Sequence, residues 1–190
     1  LGHGVGLAHP HDGGGESDAS LFPGVSSSFG DYGTNDLNQG IFTTMSYNTG
    51  YPSAEPGVDD AYGWEGTPMA FDIAALQEIY GANTSHETGD NTYTLASVNE
   101  EGTFWSCIWD AGGTDTISHW NVSIDSTIDL RPAPLTGSNA GGYVSQVDGI
   151  IGGFTIANGV MIENAIGGDA SDTIIGNDGD NHLQGSQGTD

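Results

Sequence analysis

Residues 167–190 read GGDASDTII, GNDGDNHLQ, GSQGTD, three segments in phase at a period of nine. The pattern G-G-x-G-x-D-x-U-x, with U apolar, specifies a parallel β-roll whose turns bind calcium. Glycine lets a tight turn aim its carbonyls inward, and the sixth-position aspartate supplies charge. Gly167, Gly168, Asp172 and Ile174 fit the pattern, with Ala170 where a glycine is usual. In the second segment Gly176, Gly179 and Leu183 fit, and Asn181 replaces the aspartate with a neutral carbonyl oxygen. Gly185, Gly188 and Asp190 start a third. Asp169 and Asp178 add two further carboxylates to these turns.

Upstream, short apolar runs separated by Gly, Asn and Asp predict strands: TYTLAS from 92, TFWSCIWD from 103, DTISHW from 115, STIDL from 126, GFTIA from 153 and VMIENAI from 160. Before them lies the one clear helix. Thr67 is an N-cap candidate, Pro68 suits the first helical position, Asp72 favours the positive end of the dipole, and Gly81 is a natural stop. Residues 13–40 and 48–66, the latter with Pro52 and Pro56, read as loops. A boundary between residues 85 and 86 divides the chain into 1–85 and a strand-and-turn domain over 86–190.

Composition bounds the function. The 190 residues include 26 acids and a single basic residue, Arg131, for a net charge of −25. Nucleic acid is excluded as a partner, because its phosphates need Lys and Arg. No apolar run approaches the roughly 20 residues of a membrane span, so stable insertion is not expected. Cys107, the lone cysteine, sits in FWSCIW and reads as a small core residue. Bound cations, rather than disulfides, would brace such a chain.

At the N-terminus, LGHGVGLAHP places His3 and His9 six residues apart around Gly6. Six residues is not a whole number of helical turns. A left-handed Gly6 can end a helix and swing His9 back to share one metal with His3. Neutral imidazoles are good zinc ligands. His11 reads as a surface residue.

This segment resembles the latter part of the metzincin pattern H-E-x-x-H-x-x-G-x-x-H, with His3, Gly6 and His9 matching its last three fixed positions. Met45-Ser46-Tyr47 resembles the methionine turn of the serralysin branch (peptidase family M10B). TPMAFDIAALQEIYGAN, 67–83, resembles that branch's structural helix, and WDAGGTDTI, 109–117, with IENAIGG, 162–168, the start of its C-terminal domain. The resemblance implies an α+β architecture: the C-terminal part of a metzincin catalytic domain followed by a parallel β-roll. It implies a zinc- and calcium-dependent endopeptidase acting on protein or peptide substrates, monomeric, secreted and extracellular, exported in one step through a C-terminal signal. It assigns zinc to His3, His9 and Tyr47, with Tyr47 also stabilising the oxyanion. It assigns calcium to Asp110, Gly112, Asp115 and Glu163, beside the repeat residues Gly167, Asp169, Asp172, Gly176, Asp178, Asn181 and Asp190. The first zinc histidine and the general-base glutamate fall before Leu1 in this pattern, so the chain alone is expected to be inactive. The stretch between Tyr93 and Trp109 lacks the arginine-containing calcium loop of many serralysins. A non-catalytic calcium-binding repeat module is the competing reading.

Overall fold

The computed structural model describes residues 2–13, 21–48, 50, 62 and 64–190; Leu1, Pro52 and Pro56 lie outside these. Among these residues one α-helix, α1 (Ala70–Tyr80), precedes nine short strands. The helix starts later than the Thr67–Pro68 reading, with Met69 as its N-cap. The reason is Asp72, only 2% exposed. Its carboxylate accepts the Met69 N–H at 2.9 Å, satisfying an otherwise orphaned donor of the first turn. Thr67 instead accepts the Cys107 N–H through its hydroxyl at 2.8 Å, tying the helix approach to the strands. Gly81 ends the helix at φ 83°.

The strands are β1 (Thr92–Thr94), β2 (Trp105–Ile108), β3 (Thr116–Ser118), β4 (Ser126–Asp129), β5 (Ser145–Val147), β6 (Gly153–Ile156), β7 (Asn164–Ile166), β8 (Asp172–Ile175) and β9 (His182–Gln184). They form two sheets, ordered β1-β3-β7-β9 and β2-β6-β5-β4-β8. The first sheet is wholly parallel. In the second, β2 with β6 and β4 with β8 are parallel, but β5 inserts antiparallel between β4 and β6. The sequence reading missed β5, whose Ser-Gln-Val carries no run of apolar residues.

The nine-residue period is visible in the ladder. Asn164 of β7 pairs with His182 of β9, eighteen residues on, so two repeats bring the chain back to the same sheet. A methyl on Gly167, Gly176 or Gly185 would overlap the side-chain oxygen of Asp172, Asn181 or Asp190 respectively, the residue five positions on. The three glycines are therefore fixed by the same close approach. Ile174 packs against the core, whereas Leu183 is 43% exposed.

One buried cluster joins the two halves of the chain: Ile41, Met69 and Ile73 pack with Cys107, Ile117, Ile128, Val147, Ile156 and Ala165. Cys107 is core, its thiol pushed up to about 12 by burial. Arg131 forks onto the buried Asp129, with Nε to Oδ1 at 2.9 Å, and its guanidinium lies 3.6 Å from the Tyr143 ring centroid. Asp129 is thus a carboxylate that the sole basic side chain of the sequence can neutralise.

Two predictions follow from these contacts. Asp72 also accepts the Thr43 hydroxyl and the Thr44 N–H, both at 2.7 Å. Asp72→Ala is expected to cost about 3 kcal/mol in urea unfolding, because charge-assisted bonds are lost and donors are stranded. A loss under about 1 kcal/mol would contradict this role. His119 is 0% exposed, and neither ring nitrogen has a partner among the described residues. Burial lowers its pKa, opposed by the charge of Asp172. The unfolded chain takes up this proton first, so stability is whole above the ordinary pKa of about 6.5 and falls as pH drops through it toward the lowered folded value. His119→Phe should therefore lose less thermal stability than the parent between pH 7.5 and pH 5.5; an identical decline would refute the assignment.

Candidate metal centre and acidic turns

Residues Gly2–Val5 form a 3₁₀ turn, and Gly6 follows at φ 93°. This left-handed step folds the chain back, as the spacing of His3 and His9 requires. Met45 lies directly beneath: a methyl on Gly2 would strike its sulfur. The Met45 carbonyl accepts from His9 Nδ1 at 2.6 Å, and the Leu7 carbonyl accepts from His3 Nδ1 at 2.9 Å. A carbonyl can only accept, so both Nδ1 atoms carry the proton. In the neutral rings each Nε2 then presents a lone pair.

Those two Nε2 atoms face each other at 2.9 Å, and the Tyr47 hydroxyl is 3.1 Å from His9 Nε2. Two facing lone pairs repel unless a proton or a metal ion sits between them. Tetrahedral zinc with bonds of roughly 2.0–2.1 Å to nitrogen separates its ligand atoms by roughly 3.3 Å, close to this spacing. The donor set fits a metal. Among the described residues no three His, Cys, Asp or Glu side chains gather tightly enough to hold one by themselves.

His11 is half-buried rather than on the surface. It stacks on His9 at 5.2 Å between centroids and lies 4.9 Å from the Tyr47 ring centroid, its Nδ1 buried without a partner among the described residues. A cleft of about 570 Å³ opens beside the pair, lined by His3, His9, Met45, Glu65 and Asp72 among others. Burial raises the Glu65 carboxyl above its ordinary range, and Asp72 adds to the effect. Sequence reading missed Glu65, which belongs to no motif. A second cavity of about 320 Å³, between Phe22, Leu37, Phe71 and Leu135, has no ionisable lining.

The acidic residues around 110–115 form a separate group. Asp110 accepts the Gly112 N–H at 2.9 Å and the Tyr93 hydroxyl at 2.6 Å. Asp115 is 0% exposed; its Oδ1 accepts the Asn91 N–H at 2.8 Å, and its Oδ2 has no partner among the described residues. Glu163 accepts the Asp115 N–H at 2.8 Å, and Asp90 accepts that of Thr114 at 2.9 Å. Burial first, then the charges of Asp110, Glu163 and Asp90, raise the Asp115 pKa. Gly113 passes so near the Gly89 carbonyl that any side chain would overlap it. A buried carboxylate oxygen without a partner, surrounded by like charges, suits a hard cation with oxygen ligands.

In the repeat turns, Asp172 Oδ2 accepts the Gly168 N–H at 2.6 Å, while its Oδ1 accepts both the N–H and hydroxyl of Ser126. Asp190 accepts the Asp172 N–H, Asn181 accepts that of Asn177, and Asp169 accepts from Gln187. The backbone of Gly167 donates to Gln184. Gly176 lies against Asn181, while Asp178 is exposed.

Comparison with known proteins gives a consistent result. The family model described as Peptidase M10 serralysin C terminal matches residues 70–189. Serralysin C of Dickeya chrysanthemi is 39% identical over 92% of the chain and 34% of its own length. Serralysin of Proteus mirabilis is 37% identical over 96% of the chain and 35% of its own length. Metallopeptidase AprA of Pseudomonas marginalis is 32% identical over 97% and 37% respectively. The chain spans about a third of the length of these relatives. With the family model covering well over half its residues and relatives above 30% identity along nearly all of it, the chain belongs to the serralysin family of M10 peptidases.

Proposed function

We propose that this chain is part of a secreted, zinc-dependent, calcium-stabilised endopeptidase that hydrolyses proteins and peptides. The observation that carries this reading is the pair of facing Nε2 atoms, both tautomers fixed by backbone carbonyls, with the Tyr47 hydroxyl beside them. His3, His9 and Tyr47 would hold zinc. Bound zinc polarises a scissile carbonyl and lowers the pKa of water. The residues of this chain do the rest of their part by position. His3 and His9 are oriented by Leu7 and Met45, so no imidazole has to rotate when metal arrives. Tyr47 moves off His9 and donates its hydroxyl to the oxygen on which negative charge builds. The family pattern calls for a further imidazole and a general-base carboxylate beside these residues, so the proposed hydrolysis is an activity of the whole protease.

The division near residues 85 and 86 separates this catalytic part from a domain that we read as a β-roll. Its eighteen-residue return from β7 to β9 and the repeated glycine-to-fifth-residue approach support that reading. Calcium would be held by Asp110, Gly112, Asp115 and Glu163, and by the repeat turns through Gly167, Asp169, Asp172, Gly176, Asp178, Asn181 and Asp190. A cation that binds only the folded form stabilises it, and roughly millimolar affinity is typical of extracellular modules. Among the described residues no helix is long and apolar enough to cross a membrane.

Two experiments test the proposal. The longer protein carrying this chain should cleave casein, lose that activity in a zinc chelator and regain it with added zinc. His9→Ala should reduce kcat/KM at least 100-fold, as loss of a catalytic metal does. Cleavage indifferent to chelation would contradict the zinc reading, and no cleavage at all would leave a calcium-binding module. The second concerns Asp115. Its raised pKa means that the ionised carboxylate costs stability at neutral pH, a cost that begins to shrink as pH falls through the raised folded value and is gone below the ordinary, unfolded one. Asp115→Asn should therefore raise the thermal midpoint in calcium-free buffer, by about 3 °C, and lower it in saturating calcium. The same shift in both buffers would argue against a cation at this carboxylate.

A further inference from the structure

Phe29 is 71% exposed, the largest value among the exposed large hydrophobic side chains of the described residues. A lone apolar side chain on a surface is ordinary. This one differs in what it touches and in the bracing of the loop that presents it. Its ring stacks on Tyr47, 5.2 Å between centroids and 25° from parallel. Tyr47 in turn lies 4.4 Å from the His9 ring.

The loop that presents Phe29 is braced on both sides. Before it, Asp31 Oδ2 accepts the N–H and hydroxyl of Ser26 at 2.7 and 2.8 Å and the Ser27 N–H at 3.2 Å. The Ser26 N–H, then its hydroxyl, hold the Asp31 carboxyl below its ordinary range. After it, the Gly30 N–H donates to Asn48 Oδ1 at 2.8 Å, and the Asn48 amide donates to the carbonyls of Asp31 and Asn38. Asn38, 0% exposed, donates to the Asp31 carbonyl at 2.7 Å and accepts the Ser46 hydroxyl at 2.9 Å. Ser46 and Asn48 flank Tyr47 in the chain, so one buried polar knot fixes the Phe29 loop and the Tyr47 backbone to each other. The ring contact is what remains for side-chain freedom to decide.

We propose that Phe29 is a positioning residue for Tyr47: its ring forms the rail on which the phenol is held beside His9 and along which it moves when substrate arrives. This rests on the reading of Tyr47 as the group that stabilises the developing oxyanion. A phenol with solvent on its outer face would sample rotamers that carry its hydroxyl away from the histidines. A ring stacked on that face removes them while leaving an in-plane slide open. Aromatic rings stack well when offset, so the slide keeps the contact. Among the described residues the ring contact of Phe29 is with Tyr47 and not with His3 or His9, so it acts through Tyr47.

The test uses the longer protein carrying this chain, with casein-derived peptides for kinetics and fluorotyrosine labelling for spectroscopy. Phe29→Ala should lower kcat roughly tenfold, the scale of a misplaced reacting group. KM should stay within about twofold and the bound zinc should be unchanged. Phe29→Trp, which keeps a stacking ring, should recover most of the rate. In a Tyr47→Phe background, Phe29→Ala should cause no further loss, because both changes act through one hydroxyl. The fluorotyrosine resonance of Tyr47, assigned by its disappearance in Tyr47→Phe, should lose its ring-current displacement in Phe29→Ala and keep one in Phe29→Trp. An unchanged resonance, an unchanged kcat, an effect on KM alone, or additive losses in the double variant would overturn the inference. If Tyr47→Phe itself leaves kcat intact, the reading of Tyr47 fails, and the resonance still reports separately whether Phe29 holds the ring.

Discussion

The carboxylate of Asp72 is the joint on which the described site depends. It caps α1 through the Met69 N–H and grips Thr43 and Thr44 immediately before Met45. Met45 supplies the carbonyl that fixes the His9 tautomer, and its sulfur lies under Gly2. A single buried acid therefore sets the height of the methionine turn against the helix, and through it the direction of one candidate metal-binding nitrogen. The Thr67 bond to Cys107 carries the same helix onto β2, so the core of the strand region and the histidine pair share one frame.

Charge imposes the second constraint. A chain at net −25 with one basic residue cannot neutralise its acids internally. Among the described residues Arg131 pairs with Asp129. Elsewhere the structure answers with N–H groups: Gly112, Asn91, Thr114, Gly168, Ser126 and Asn177 each donate to an acidic or amide side chain. N–H donors stabilise a carboxylate without cancelling its charge, so burial first, and then the charges of Asp110, Glu163 and Asp90, still push Asp115 toward its neutral form. Cations complete such an arrangement more economically than further donors, and compaction at this charge density is the step they would favour.

Much of this was legible in the chain itself. Helix α1 and its Gly81 stop, the left-handed Gly6 and most strands could be read because each depends on local chemistry or a short period. The helix start could not, because Asp72 competes with Thr67 through contacts to Thr43 and Thr44, nearly thirty residues away. Strand β5 was hidden because Ser-Gln-Val takes its strand character from β4 and β6 on either side. His3 and His9 stood out through the glycine between them and their match to a family pattern, whereas His11, Phe29 and Glu65 owe their places to the rings and cleft that the fold brings to them. His119 gave no signal, since a histidine amid strand residues carries no period that announces burial.

The most direct measurement is zinc-edge X-ray absorption on the longer protein as purified. The account predicts a stoichiometric zinc with imidazole scattering at roughly 2.0–2.1 Å and only nitrogen or oxygen neighbours, with the imidazole contribution reduced in His3→Ala and in His9→Ala. Zinc bound with equal stoichiometry and an unchanged spectrum in both variants would place the metal elsewhere and contradict the central claim.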